Sequence, residues 1–262
     1  METNLRRALR TVALLSAFVV LAAAAQVKED VASMLATGDD FSTKTFENEK
    51  ALDSFMKAYA AEPNNYEVLW RLSRTYVDIG EHQPAATKED KTKQLETYQK
   101  ALDFAELAVK ANPNGAMGYT RRAIANGRVA LFKGVWDSID LVKQVRADCQ
   151  KAIEIDASNP GAYYVLARTN AKLCEKPKVI RWPLGLSWAN YDDARTNYEK
   201  AISMRPTFIM YRLDAARTYV ELDEYEKAKQ QLAMIATLPT EDEDDGQFRK
   251  DAKELLDKIK DK

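Results

Sequence analysis

The sequence predicts an all-α chain: a solenoid of stacked helix pairs, wound as a right-handed superhelix and ending on a capping helix. Three observations carry this. Small residues recur in register, Ala51, Phe55, Ala58 and Pro63 sharing the offsets 0, 4, 7 and 12 with Ala101, Ala105, Ala108 and Pro113, and with Ala194, Tyr198, Ala201 and Pro206. Glycine and proline are scarce, 9 and 8 in 262 residues, as a largely helical chain requires. The stretch 247–260 is amphipathic, with Phe248, Ala252, Leu255, Leu256 and Ile259 on one face, and reads as the cap that a stack of repeats needs.

Offsets 0, 4 and 7 lie on one face of a helix. Alanine there lets a neighbouring helix come close, and Phe or Tyr fills the gap that remains. The proline and the asparagines after it stop the helix, because proline breaks the hydrogen-bond ladder. A fourth copy, Cys149, Ala152 and Ala157, keeps the frame with Ala in place of Pro. A second helix of the same unit follows each turn, as in YEVLWRLSRTYVDIG. This spacing resembles the tetratricopeptide repeat, a helix–turn–helix unit of about 34 residues. The repeats fall at about 31–63, 66–113, 116–157, 160–206 and 209–240, with the cap at 247–260. Against a unit of about 34 residues, repeats two, three and four run about 16, 10 and 15 residues long. Those extra residues either project as insertions on one edge or lengthen the helices.

The N-terminus reads as an export signal. Arg6, Arg7 and Arg10 precede an apolar run from Val12 to Ala25, and Ala23-Ala24-Ala25 before Gln26 offers a small-residue cleavage site. Residues 1–25 are therefore expected to be a signal peptide and 26–262 the repeat domain, exported to a bacterial periplasm. The alternative is an uncleaved N-terminal segment anchoring the chain to a membrane. A net charge of −1 excludes nucleic acid as the main partner, since binding phosphates requires a surplus of Lys and Arg.

YEVLWRLSRTYVD, AYYVLART, the Trp-bearing RWPLGLSW and the final KDAKELLDKI together resemble the regulator of microtubule dynamics family, over roughly Asn65 to Ile259. The resemblance implies a tetratricopeptide architecture and an adaptor-like role, and it implies no catalytic residue. Animal members are typically membrane-associated; the signal-like N-terminus here sets this chain apart, so their cellular roles are not carried over.

No chemistry of an enzyme stands out. His82 is the only histidine, and no nucleophile elbow, P-loop or dinucleotide glycine pattern is present. No cofactor or metal is expected. Cys149 and Cys174 sit in helical patterns, either as a disulfide of an exported protein or as free core thiols. The run Glu241 to Asp245 reads as a solvated loop.

The groove-facing positions say more. The first helix of each unit is expected to line the concave face, where the ninth positions carry Arg74, Arg168 and Arg217 and the fifth carry Trp70, Tyr164 and Leu213. The twelfth carry Val77, Ala171 and Val220, and repeat three adds Met117, Thr120, Ile124 and Arg128. A ladder of guanidiniums beside an apolar strip suits an anionic ligand with an apolar portion. The expected function is a non-enzymatic scaffold for a protein or peptide, an acidic one by the same chemistry; the alternative is a carrier of an anionic lipid or other amphiphile. Equally, each arginine could pair with an acid on the next helix. Trp182 and Trp188, in the insertion of repeat four, either pin that insertion down or form a lid over the groove.

Overall fold

The structure, a computed structural model, describes residues 30–134 and 136–262; the signal-like segment lies outside the described residues. No strand occurs among them. Helix α1 covers residues 30–40 and runs into a π-turn, Phe41–Thr45. There follow α2 (Asn48–Ala61), α3 (Tyr66–His82), α4 (Lys88–Ala111), α5 (Ala116–Lys133), α6 (Ile139–Ile155) and α7 (Pro160–Cys174). A single turn, α8 (Lys178–Arg181), precedes α9 (Tyr191–Met204), α10 (Ile209–Glu221), α11 (Tyr225–Ile235) and α12 (Asp245–Ile259).

The turn that joins one pair to the next is built four times in the same way. The carbonyls of Ala58, Ala108, Ala152 and Ala201 accept from residues four further on, closing α2, α4, α6 and α9. The chain then folds back on a second bond: Asn65 to Glu62, Gly115 to Asn112, Asn159 to Asp156 and Phe208 to Arg205, at 3.0–3.4 Å. Pro63, Pro113 and Pro206 take the second position of that turn, where their fixed φ is already suited. Asn65 and Asn159 then cap the next helix, accepting from Glu67 and Ala162, with Pro160 at the first turn of α7. At the other kind of turn, Thr87 and Asp90 form a capping box that starts α4.

Small residues sit where helices touch. Ala51, Ala58, Ala101, Ala105, Ala108, Ala194 and Ala201 are fully buried, with Phe55 and Tyr198 filling the space between them. Gly80 serves the same end, for a Cβ there would fall 2.5 Å from the Tyr98 ring. The inner helices α3, α5, α7, α10 and α12 touch in succession and form the concave wall. The extra residues of repeats two and three lengthen helices, α4 reaching 24 residues and α5 and α6 reaching 18 and 17. Repeat three adds a short 3-10 turn, Trp136–Ser138, and repeat four a longer segment, the stretch around α8. Cys149 and Cys174 are both free, and burial pushes the Cys149 thiol far up.

The acidic run departs from its expected role as a solvated loop. Asp245 is fully buried and its Oδ2 accepts from the Glu241 and Asp242 amides at 2.7 and 3.0 Å. The turn so formed crosses to the N-terminal repeats, where Asn48 donates to Glu243 at 2.7 Å and His82 meets Asp244 at 3.3 Å. Only Asp245 is buried, and the other acids stay at the surface, tied to a cation or an amide.

The close approach along α4 gives a direct test. Ala105→Leu should cost about 1–3 kcal/mol through overpacking, read as a lower urea midpoint. Leu107→Lys lies half a turn away and is 39% exposed. It should stay within about 0.5 kcal/mol of the parent.

Candidate functional site

The inner helices enclose a cavity of about 610 Å³. Its floor is apolar: Val77 from α3, Met117 and Ile124 from α5, Val145 from α6, Val165 from α7 and Leu186 from the α8 segment. The π-turn forms one wall with Ser42 and Thr43, and the acidic run 241–244 lies at the mouth beside it, where Asn48 reaches Glu243 at 2.7 Å. Guanidiniums of Arg74, Arg121, Arg128, Arg168 and Arg205 line the sides.

Among the arginines that the repeat spacing nominates, all have acidic partners. Arg74 donates to Asp39 at 2.9 Å and to Ser42 at 2.5 Å. Arg128 pairs with Glu81. Arg168 donates to the Tyr164 hydroxyl at 2.7 Å, and Tyr164 donates in turn to Asp214 at 2.8 Å. Arg217 bridges Asp214 and Asp251 at 2.9 and 2.8 Å, stands half-exposed, and does not line the cavity. The structure thus brings Arg74, Val77, Arg128, Tyr164 and Arg168 to one cavity. Ala171 and Val220 lie outside its lining. Leu213 is fully buried in the C-terminal core, so it adds nothing to the strip. Trp70 donates to Glu67 at 2.9 Å and offers its ring to Arg71, Arg74 and Arg121, at 4.2, 5.6 and 5.8 Å. Trp182 points to solvent, and Trp188 stacks under Arg146 at 4.3 Å.

Arg121 differs from the rest. It lines the cavity, and among the described residues its Nε has no hydrogen-bond partner and no carboxylate is in ion-pair contact with it. Burial, and then the neighbouring Arg74, pull its guanidinium down to about 10. Asp78 is its nearest counterweight; burial pushes that carboxyl up to about 6, against the pull of Arg74 and Arg121. A guanidinium so placed is a cation in search of an anion. The repeat spacing overlooks it because Arg121 holds the sixth position of α5, where the ninth is Ile124. The face that Arg121, Ile124 and Arg128 share at i, i+3 and i+7 is the signal that reveals it.

His82 closes the roof. Its Nδ1 meets the Asp78 carbonyl at 2.8 Å and Glu243 at 3.5 Å, and its Nε2 meets Asp244. Burial alone would lower the imidazole, but the Asp78 carbonyl, Glu243 and Asp244 outweigh it and raise the pKa.

The family model described as regulator of microtubule dynamics protein 1-3 matches residues 34–260. The chain belongs to this family. It is 25% identical over 241 residues to regulator of microtubule dynamics protein 3 of Rattus norvegicus, covering 87% of this chain and 49% of that protein. It is 26% identical over 252 residues to protein 1 of Mus musculus, covering 94% and 79%. The chain therefore spans about half the length of the rat relative it matches. Among solved structures, a thermophilic TPR protein of Thermus thermophilus superposes with a TM-score of 0.64 at 17% identity, over 86% of this chain and 99% of that one. That likeness establishes the tetratricopeptide fold.

The roof has a pH signature. A raised histidine pKa means that the contact is at full strength below the ordinary value of 6.5 and is lost as pH climbs through the raised folded value. The distance between spin labels on α3 and on the run 241–245 should therefore lengthen between about pH 6 and about pH 8. In His82→Ala it should be long at both.

Proposed function

We propose that the protein is a non-catalytic binding scaffold whose roofed groove holds one anionic amphiphile, its head on Arg121 and its chain along the apolar floor. The observation that supports this most is the lone guanidinium at the wall of a mostly apolar, covered cavity. A volume of about 610 Å³ suits a small molecule or a single acyl chain better than a long peptide. The acidic run across the mouth also obstructs a peptide lying along the groove. With Arg74, Arg128, Arg168 and Arg205 facing carboxylates of the chain itself and Arg181 spent on backbone carbonyls, Arg121 is the group left to select a carboxylate or phosphate.

An acidic peptide as ligand has one observation in its favour. The mouth already seats an acidic stretch of chain, Glu241 on Arg205 at 2.8 Å and Glu243 and Asp244 by His82. A peptide of that kind would compete with the run for the same cations. Export belongs to the same reading: the basic and apolar segment before Gln26 directs the chain to a periplasm, and N-terminal sequencing of the mature protein should begin at Gln26.

A fluorescent long-chain carboxylate should bind the purified protein, and Arg121→Gln should weaken it at least about tenfold, as loss of a charge-assisted contact worth about 1.5–3 kcal/mol requires. Arg217→Gln, outside the cavity, should leave affinity unchanged. Equal affinity in the Arg121 variant would sink the assignment of the head group. Binding of a fluorescent acidic peptide, with none of the carboxylate probe, would replace the amphiphile by a peptide.

A further inference from the structure

The segment between α7 and α9 displays the two most exposed large apolar side chains among the described residues, Val179 and Trp182. Val179 is 78% exposed, Trp182 73% and Ile180 41%. This is not a slack loop. Arg181 is buried beneath it, donating to the carbonyls of Lys176, Leu186 and Ala189 at 2.9, 3.2 and 2.7 Å. The Trp182 and Leu184 amides bond back to Lys178 and Arg181, and Leu186 and Ala189 are anchored in the core. With Arg181 turned inward, the one turn of α8 must project Val179 and Trp182 outward. Folding has thus fixed an arginine inside and a tryptophan outside, the reverse of the usual preference.

Charge around the tip has one sign. Between residues 172 and 190 the acid is Glu175, and Lys172 occupies it at 2.8 Å. Lys176 and Lys178 are exposed and make no ion pair among the described residues. Lys143 of α6 lies alongside, its Nζ 3.7 Å from where a Cβ on Gly185 would stand. An apolar tip with tryptophan, ringed by free lysines, matches the interfacial layer of an anionic bilayer: the indole prefers the headgroup level and ammonium groups rest on phosphates. A protein partner would call for a broader patch.

We propose that the α8 turn is a membrane-docking element, inserting Val179, Ile180 and Trp182 into an anionic lipid surface while Lys176 and Lys178 hold its phosphates. Ile180 and Lys176 also border the cavity, as does Leu131, itself 57% exposed. Docking therefore sets that edge of the cavity against the lipid. Exchange of an amphiphile there rests on the groove reading above; the docking does not.

The test uses the full chain with vesicles of equal parts phosphatidylcholine and phosphatidylglycerol, the latter brominated on its acyl chains. Tryptophan emission should be quenched on binding, and Trp182→Phe should abolish the greater part of that quenching. This signature is local, so an N-terminal apolar segment common to both proteins does not produce it. The double variant Val179→Ser, Trp182→Ala should partition at least about tenfold more weakly, given the apolar area withdrawn from the bilayer. Lys176→Ala with Lys178→Ala should remove the preference over pure phosphatidylcholine. Arg121→Gln should dock normally, so a failed groove and a failed dock are told apart. Equal quenching in the parent and Trp182→Phe overturns the proposal, as does a dimer in solution that the double variant dissolves.

Discussion

Helices in this chain pack through alanine. At Ala58, Ala108, Ala152 and Ala201 one residue does two things: its missing side chain admits the neighbouring helix, and its carbonyl closes its own helix. The close approach fixes the distance between layers, and the closing bond fixes where the chain turns. Each following turn then starts the next inner helix at the same place and angle. The concave wall is the accumulated result, since its curvature comes from repeating one geometry. A larger residue at these positions would move a whole layer, and every side chain in the groove with it.

The periodic part of this design is legible in the sequence because it is local. Offsets of 4 and 7 within a helix, a proline at 12 and an asparagine cap are all short-range, and they yield the helix pairs without reference to anything distant. The groove is legible in part for the same reason: Arg74 and Arg168 stand at equivalent positions and reach one cavity. What equivalence of position cannot convey is the partner. Arg74 meets Asp39 from α1, and Arg217 meets Asp251 from α12; those contacts depend on how layers stack. Arg121 is concealed by the same argument, because its importance lies in a carboxylate that is not there.

The acidic run was the least legible element. By composition alone five consecutive acids repel one another and stay in water. In the fold, two of them organise the turn, Asp245 by accepting two backbone amides and Asp242 by accepting a third, and the other three are distributed over Arg205, His82 and Asn48. Two of those three partners come from the N-terminal repeats, which the chain reaches only after winding through the whole stack. Long-range closure of this kind is a property of the superhelix, and no short window of sequence contains it.

That closure is weak by construction, and the weakness has a use. Glu243 and Asp244 keep 36% and 38% of their side-chain surface exposed where they meet His82. Contacts between groups so open to solvent are worth about 1 kcal/mol or less each. The turn itself is held by the fully buried Asp245 and would survive their loss. The roof can therefore lift from α3 as a preformed unit, at a cost far below that of unfolding any helix pair. A cavity whose walls are set by close packing and whose roof is set by a few exposed charges has a rigid shape and an easily opened entrance. The two properties come from different physics, burial in the first case and screened electrostatics in the second, so salt and pH can act on the entrance while leaving the shape alone.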